Sequence, residues 1–236
     1  MKKYLVVLII ICVIVTLMPQ SAKAITIETE GSNSTKYYTI VRALPTGGTV
    51  TIRIPETYEV DENRISMLVM DNSLSDGDII TLYDKSLYMS DNMENTVGQI
   101  SPRIDSIVDT FYKTYVDYGE VRVYETYKLL SVAKGMTVTL ERSHSKTYSA
   151  TFTPEPFVSA EIAGSLYISV NTTVSFSGPA EDSEYNSREF RIRVYERDVE
   201  WTQEKYYYWT LVYTLVGTAV EKFDYDIYSV DKLIVE

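Results

Sequence analysis

Residues 136–177, MTVTLERSHSKTYSATFTPEPFVSAEIAGSLYISVNTTVSFS, decide the fold class. From residue 136 to residue 153 every odd position holds Thr, Ser or Glu, and after Pro156 the alternation of small polar and apolar residues resumes. A period of two places alternate side chains on opposite faces of an extended strand. The stretch predicts a long Ser/Thr-rich β-hairpin with a bend at Gly164. Each unbroken strand would reach roughly 60 Å at ~3.3 Å per residue.

Two interpretations of this hairpin compete. In one, the strands wrap a β-sandwich and their apolar face lies against the core. That face carries Ile162, Leu166, Ile168, Val170, Val174 and Phe176. In the other, the hairpin inserts into a membrane, because Ser/Thr-rich alternating strands resemble the insertion loops of aerolysin-type pore-forming toxins. Arg142, His144 and Lys146 interrupt the apolar face, and each charge at mid-bilayer costs about 2–4 kcal/mol. That cost favours the sandwich.

The composition of the remaining chain also favours strands. The sequence contains 21 tyrosines together with abundant Thr, Val and Ile, which are strand-forming residues. No segment after residue 24 has a sustained helical period. We predict an all-β protein in two β-sandwich-like parts, residues 25–130 and residues 131–236, of which the second contains the long hairpin.

The first part reads as short strands separated by turns. Residues 37–43 and 49–54 alternate on either side of a Pro-Thr-Gly-Gly turn, and residues 66–70 form an apolar run typical of a buried strand. We expect two further strands and a turn between them. They are residues 105–115, residues 120–128 and the turn at residues 117–119.

Residues 37–126 resemble a small β-sandwich, the bacterial pre-peptidase C-terminal domain. The resemblance rests on YYTI at residues 37–40, LPTGGTVTI at 44–52 and YGEVRVY at 118–124. In that family an aromatic strand leads to a Pro-Gly turn and an alternating strand, and a late Tyr-Gly turn leads to the closing strand. The family's Asp-Leu-Asp-Leu strand is replaced by SMLVM at residues 66–70, which removes acidic residues linked to calcium. The resemblance implies an accessory or binding module.

Residues 1–24 have the three parts of a secretory signal peptide. Lys2 and Lys3 precede an apolar run, and Ala22-Lys23-Ala24 supplies the small residues that signal peptidase needs. The apolar run is shorter than the ~20 residues that span a bilayer. We therefore expect cleavage after Ala24 and a bacterial protein that is secreted or associated with the cell envelope.

Charge and cysteine content exclude several classes of function. The formal net charge of the chain is −11, and removing a leader with three lysines and no acid makes the mature chain −14. Such a surface repels nucleic acid, so we expect no nucleic-acid partner. The single cysteine, Cys12, lies in the leader, so the mature chain has no disulfide and no cysteine-bound metal.

Catalytic and cofactor-binding motifs are lacking in the sequence. His144 is the only histidine, and no Gly-x-Ser-x-Gly motif or phosphate-binding glycine loop occurs. Residues 71–78, DNSLSDGD, offer oxygen ligands for calcium, but their spacing departs from the EF-hand loop. An Asp-Gly turn between strands is the favoured interpretation of that loop. We expect no enzyme, no cofactor and no metal site.

Three aromatic residues are candidates for stacking on a sugar ring or a peptide: Trp201, Tyr207 and Trp209. The YYYW run is predicted to open a strand that runs to Val216 and turns at Gly217. On such a strand neighbouring rings face opposite sides, and packing against the sheet is the usual role of aromatic side chains.

These observations predict a non-catalytic bacterial protein that acts through its surface, by binding a glycan, the cell wall or a protein. A membrane-active protein that inserts residues 136–177 is the first alternative. A secreted hydrolase is the second.

Overall fold

The computed structural model describes residues 23–26, 35–59, 61–88 and 110–234. Its described part contains twelve strands, one α-helix and two short 3₁₀ helices, at Lys85–Leu87 and Ser159–Glu161. The prediction of an all-β protein is confirmed. In chain order the elements are β1 Lys23–Thr26, β2 Tyr37–Ala43, β3 Thr49–Pro55, α1 Glu62–Val69, β4 Ile79–Tyr83, β5 Thr110–Ala133, β6 Thr137–Thr139, β7 His144–Tyr148, β8 Thr151–Thr153, β9 Leu166–Val170, β10 Ser175–Ser177, β11 Ser187–Tyr207 and β12 Thr210–Lys232.

One large sheet organises the molecule. Its strand order is β1-β2-β3-β4-β12-β11-β5, and β8 also pairs with β12. The strands β5, β11 and β12 have 24, 21 and 23 residues, far more than the usual 3–10. They pair antiparallel over most of their length. We call these three strands the ribbon.

The base of the ribbon is covered on both faces. On β12, Tyr228 and Val230 join a core with β2, β3, β4 and α1, whereas Ile227 joins a second core. Consecutive strand residues point to opposite faces, so the two cores lie on opposite sides of the sheet. The second core contains Ile168 and Phe176 from the segment between β5 and β11.

Residues 136–177 form a hairpin, but the expected long strands are wrong. Thr137 pairs with Ser177, and His144 pairs with Val170 in the same register, yet no strand of the segment exceeds five residues. The backbone N–H of Val174 donates to the carbonyl oxygen of Asn171 at 3.4 Å, so a turn interrupts the second strand. Beyond β7 the chain leaves the hairpin, because β8 pairs with β12 instead.

The apolar face of the hairpin packs as the sandwich interpretation predicts. Leu166, Ile168, Val170 and Phe176 are buried in the second core, and Val174 packs partly against it. Ile162 is buried farther along, beside Trp201. The apolar face is therefore already covered by protein.

The predicted strand at residues 66–70 is wrong, because this run belongs to α1. The side chain of Asp61 caps the helix by accepting a hydrogen bond from the N–H of Asn63 at 2.9 Å. Ile65, Leu68 and Val69 then share one buried face at helical spacing. A short apolar run does not distinguish strand from helix, whereas the Asp cap does.

Two predicted turns are also wrong. β5 continues through residues 117–119, where a register shift against Arg197 and Val199 accommodates one extra residue of β5 as a bulge. β12 continues through Gly217. A strand is also predicted at residues 105–115. Its residues 105–109 lie outside the described residues.

The predicted division between residues 130 and 131 falls within β5, and the large sheet contains strands from both sides of it. The division into two parts stays a prediction. Of the predicted signal peptide, residues 1–22 lie outside the described residues, and Lys23 and Ala24 belong to β1.

Candidate functional site

The far end of the ribbon carries an unusual turn. β11 and β12 are joined by Tyr208 and Trp209, whose φ angles are +42° and +67°. Two-residue hairpin turns with positive φ at both positions normally use Asn and Gly, which tolerate that backbone conformation. Bulky aromatic residues are strained there. The chain therefore places two large rings at a position that disfavours them.

Aromatic rings from two neighbouring strands contact each other beside this turn. Phe111 on β5 and Tyr206 on β11 stack with centroids 4.9 Å apart and planes 3° apart. The Trp209 ring lies 4.9 Å from Phe111, and the rings of Tyr207 and Tyr208 are 4.6 Å apart, edge to face. These contacts form two groups of rings beside the turn, Phe111 with Tyr206 and Trp209, and Tyr207 with Tyr208. We call Phe111 and residues 206–213 the aromatic tip.

Most of the aromatic tip is exposed to solvent. Trp209 is 83% exposed and Val212 is 58% exposed. Tyr207, Tyr208, Leu211 and Tyr213 are exposed as well. Large apolar side chains are normally buried in the core of a protein. A contiguous exposed group of them therefore marks a surface of interaction.

The aromatic tip is free of charge. No Asp, Glu, Lys, Arg or His occurs in residues 206–220, although 23% of the chain is charged. Within the described strands, the charged residues beside the tip are Lys205 and Glu204 near the end of β11 and Lys113 on β5; in the sequence, Asp109 directly precedes β5. The ammonium group of Lys113 lies over the Tyr206 ring, 4.7 Å from its centroid, and the Tyr206 hydroxyl donates to Glu204 at 2.8 Å.

The ribbon is braced just below the aromatic tip. Trp201 is only 2% exposed and packs with Ile162, Val199 and Ala219. The side chain of Gln203 is buried and bridges strand and loop: its amide donates to the carbonyl oxygen of Val158 at 2.9 Å. The segment that follows β8 therefore holds the end of the ribbon in place.

The structure does not bring the three predicted stacking residues together. Tyr207 and Trp209 belong to the aromatic tip, whereas Trp201 lies in the core six residues earlier, about 20 Å along an extended strand. Sequence reasoning missed four further members of the surface, which are Phe111, Leu211, Val212 and Tyr213. The charge-free run from residue 206 to residue 220 was the available signal.

The carboxylates of residues 71–78 are engaged with the protein itself. Asp71 accepts from the N–H and hydroxyl of Ser73 at 3.0 and 2.7 Å, and it pairs with Arg193 at 3.0 Å. Burial opposes the charge on Asp71, but the bonds from Ser73 and then the neighbouring Arg193 and Arg191 lower its pKa. The loop forms two turns, and Asp78 accepts from the N–H of Ser75 at 2.9 Å. No metal-binding cluster of three or more acidic, His or Cys residues occurs in the described ranges.

His144 belongs to a polar cluster between β7 and β5. Its Nε2 lies 3.1 Å from the Tyr127 hydroxyl, and burial together with the nearby Lys146 lowers its pKa. Lys146 and Tyr148 both donate hydrogen bonds to Glu125. Burial raises the pKa of Tyr127 and of Tyr148, so both phenols are held protonated. The cluster fastens the hairpin onto the ribbon.

A second polar cluster lies under α1. Asp226 is almost fully buried and accepts hydrogen bonds from Tyr58 and from Tyr195, the latter at 2.6 Å. Arg64 on α1 pairs with Asp224 at 2.5 Å and with Asp226 at 3.4 Å. These bonds fasten the helix and the loop before it to β12.

Comparisons with protein-family models, with curated proteins and with solved structures found no match to this chain. The resemblance of residues 37–126 to the pre-peptidase C-terminal domain therefore stays a hypothesis. Within the described residues no helix is long and apolar enough to cross a membrane.

Proposed function

We propose that this protein is a non-catalytic, exported or envelope-associated bacterial protein that acts by binding, and that the aromatic tip is its contact surface. The observation that carries the proposal is the pair of exposed rings at positive φ, Tyr208 and Trp209. Asn and Gly would form this turn without strain. Residues whose strained backbone lowers the stability of the fold, while their side chains stay exposed, typically serve a function.

The support beneath the tip favours recognition. Three paired strands and the buried Trp201 and Gln203 hold the surface in place before a partner arrives. A preorganised surface loses less conformational entropy when it binds. Rings that stack on a glycan, on the cell wall or on a protein side chain benefit from such a platform.

The chemistry of the tip favours binding over turnover. Residues 206–220 offer only Tyr and Thr hydroxyls and the indole N–H of Trp209 as polar side-chain groups. A hydrolase normally needs a positioned base or a pair of carboxylates. Glu204, the nearest acid on β11, accepts a hydrogen bond from Tyr206.

The two alternatives have less support. A pore-forming role for residues 136–177 requires an apolar face that is available to lipid, and Ile168, Val170 and Phe176 are fully buried in the second core. A hydrolase that uses His144 requires a nucleophile beside the imidazole, whereas the His144 Nε2 forms a hydrogen bond with the protonated phenol of Tyr127.

The test is binding of the labelled protein to total bacterial envelope, which contains glycan, cell wall, protein and lipid together. The double substitution Tyr208→Asn and Trp209→Gly removes both rings and relieves two positive-φ positions, each worth about 1–3 kcal/mol. We expect the variant to be at least as stable as the wild type and to bind envelope at least about tenfold more weakly, as the loss of a binding hot spot does.

Met70→Ser is the matched control, because Met70 is 67% exposed but lies at the end of α1, away from the ribbon tip. It should bind envelope like the wild type. Equal binding by the double variant and the wild type would contradict the proposal. So would turnover of a glycoside, ester or peptide that is abolished by a substitution of one serine or carboxylate.

A further inference from the structure

We propose that the partner of the aromatic tip is the surface of a lipid bilayer, into whose interfacial region the turn and its flanking residues insert. This inference rests on the proposed function and names the partner of the same site. Four features of the tip carry it: its exposure on both faces, its side-chain chemistry, the lysines at its boundary and its lack of charge.

Both faces of the ribbon are apolar at the tip. Leu211, Val212 and Tyr213 follow one another along β12, and all three are about half exposed. A register shift between Lys205 and Tyr206 inserts one extra residue of β12 here, which disturbs the alternation of inner and outer faces. A surface that binds a protein or a sugar needs one apolar face. A wedge that enters lipid needs both.

The side chains suit the boundary between hydrocarbon and water. Trp and Tyr are enriched at membrane interfaces, because an apolar ring and a polar N–H or O–H are satisfied there together. Leu211 and Val212 lie between such residues and have no ring to stack on a sugar. Sugar sites also need precisely placed polar groups, and residues 206–220 have no carboxylate, amide or guanidinium group.

Two lysines and one acid mark the boundary of the uncharged region on β11 and β5, since Glu204 lies beside Lys205 and pairs in register with Lys113. Lys205 ends the charge-bearing part of β11, and it pairs in register with Tyr112, next to Lys113 on β5. When the uncharged region lies in the interface of a bilayer, long lysine side chains at its boundary reach the lipid phosphate groups while their methylene groups stay on apolar surface. The remainder of the protein is acidic, with a formal net charge of −11 for the whole chain. Zwitterionic bilayers are therefore the expected target, since anionic ones repel the body of the molecule.

The two tryptophans make the inference measurable. Trp201 is buried and Trp209 is exposed, so Trp201→Phe leaves Trp209 as the sole indole fluorophore. On addition of phosphatidylcholine vesicles we expect the Trp209 emission to shift to shorter wavelength and to be quenched by brominated phosphatidylcholine. Emission that is unchanged by vesicles would overturn the inference.

Co-flotation with the same vesicles is a second measurement that keeps Trp201 in place. It therefore tests the inference even when the Trp201→Phe variant does not fold. We expect the wild type to float with phosphatidylcholine vesicles, and Leu211→Asp with Val212→Asp to lower its partitioning at least about tenfold, since each charge is disfavoured in the bilayer. Met70→Asp, which charges an exposed residue far from the tip, should float like the wild type.

The outcomes separate the two proposals. Tip-dependent binding to envelope that survives extraction of all lipid, without flotation, would overturn the lipid partner and leave the binding function standing. Equal envelope binding by the tip variants and the wild type would overturn both. Flotation that Leu211→Asp with Val212→Asp abolishes and Met70→Asp does not supports both.

Discussion

The two tryptophans lie on one strand and its turn, eight positions apart, yet their environments are opposite. Trp201 fills the space between the ribbon and the segment after β8, whereas Trp209 occupies the turn with 83% of its surface exposed. The same residue type thus serves packing in one case and exposure in the other. Sequence alone identified both rings as candidates, because alternation along a strand does not reveal what covers each face.

Gly217 shows the same limit. Its presence suggested a turn, but β12 runs straight through it. A Cβ at this position would lie 2.6 Å from the carbonyl oxygen of Thr153, 2.6 Å from Cζ2 of Trp201 and 2.8 Å from Cδ of Pro154. The glycine therefore permits close approach of the loop after β8, which is the second common reason for glycine in a strand.

We expect Gly217→Ala to lower the free energy of unfolding by about 1–3 kcal/mol, because the added methyl group overpacks a contact that includes backbone. Urea denaturation measures the change. Gly164→Ala is the matched control, since a Cβ there meets nothing within 4 Å, and it should leave stability nearly unchanged. Equal effects at both glycines would contradict the close-approach explanation.

At the scale of elements, local pattern predicted strands well and their ends poorly. The hairpin of β2 and β3 and the pairing within residues 136–177 follow directly from alternation and turn residues. The interruption of that hairpin and the pairing of β8 with β12 depend on tertiary packing around Trp201, which no local window contains. The aromatic turn was missed for a related reason, because Tyr208 and Trp209 are poor turn residues by local preference.

The hairpin offers a direct test of the sandwich interpretation. Ile168 is fully buried, whereas the adjacent Ser169 points to the other face of β9. We expect Ile168→Asp to cost about 3–5 kcal/mol in thermal or urea unfolding, because it buries an unpaired charge. Ser169→Asp should cost less than about 1 kcal/mol.

Dye release from phosphatidylcholine vesicles completes that test. Neither the wild type nor Ile168→Asp should cause leakage, since insertion of the aromatic tip needs no transfer of this hairpin. Leakage caused by the wild type, with an unchanged melting curve for Ile168→Asp, would favour a membrane hairpin instead.

The attachment of α1 to the sheet is predicted to depend on pH. Burial opposes the charge on Asp224, yet Lys85 and then Arg64 lower its pKa from the ordinary value of 3.8. A lowered folded-state pKa means that the carboxylate stabilises the fold above pH 3.8 and that this contribution is lost as the pH falls further.

We therefore expect Asp224→Asn to lower the free energy of unfolding by about 1–3 kcal/mol at neutral pH, the usual size of a charged hydrogen bond. The difference from the wild type should shrink as the pH approaches about 3. Urea denaturation at both pH values measures it, with Glu120→Gln on exposed β5 as the control. A difference that stays constant across this range would contradict the role assigned to the ionised Asp224.

At the scale of the whole molecule, composition predicted the all-β class because abundant Tyr, Thr, Val and Ile act everywhere along the chain. Composition did not predict that three strands of more than twenty residues would pair side by side and carry an uncharged tip at one end. That arrangement arises because β11 pairs over about twenty residues with β12, its hairpin partner, and also with β5, from which residues 134–186 separate it in sequence. Long-range pairing of this kind is what local patterns leave open.

The whole-molecule proposal of export makes one further prediction, at the N-terminus. Cleavage after Ala24 would leave only Ile25 and Thr26 of β1, opposite Tyr38 and Tyr37. The fold should tolerate this loss, because β2 stays paired with β3 over seven residues and Ile40 stays in the first core.

Expressed in a bacterial host, the protein should be recovered outside the cytoplasm with Ile25 as its first residue, as N-terminal sequencing and intact mass would establish. Ala22→Leu with Ala24→Leu should block processing, since signal peptidase needs small residues at these positions. A wild-type chain that stays in the cytoplasm and begins at Met1 would refute export, while leaving the lipid-binding tip to be judged by the vesicle experiments.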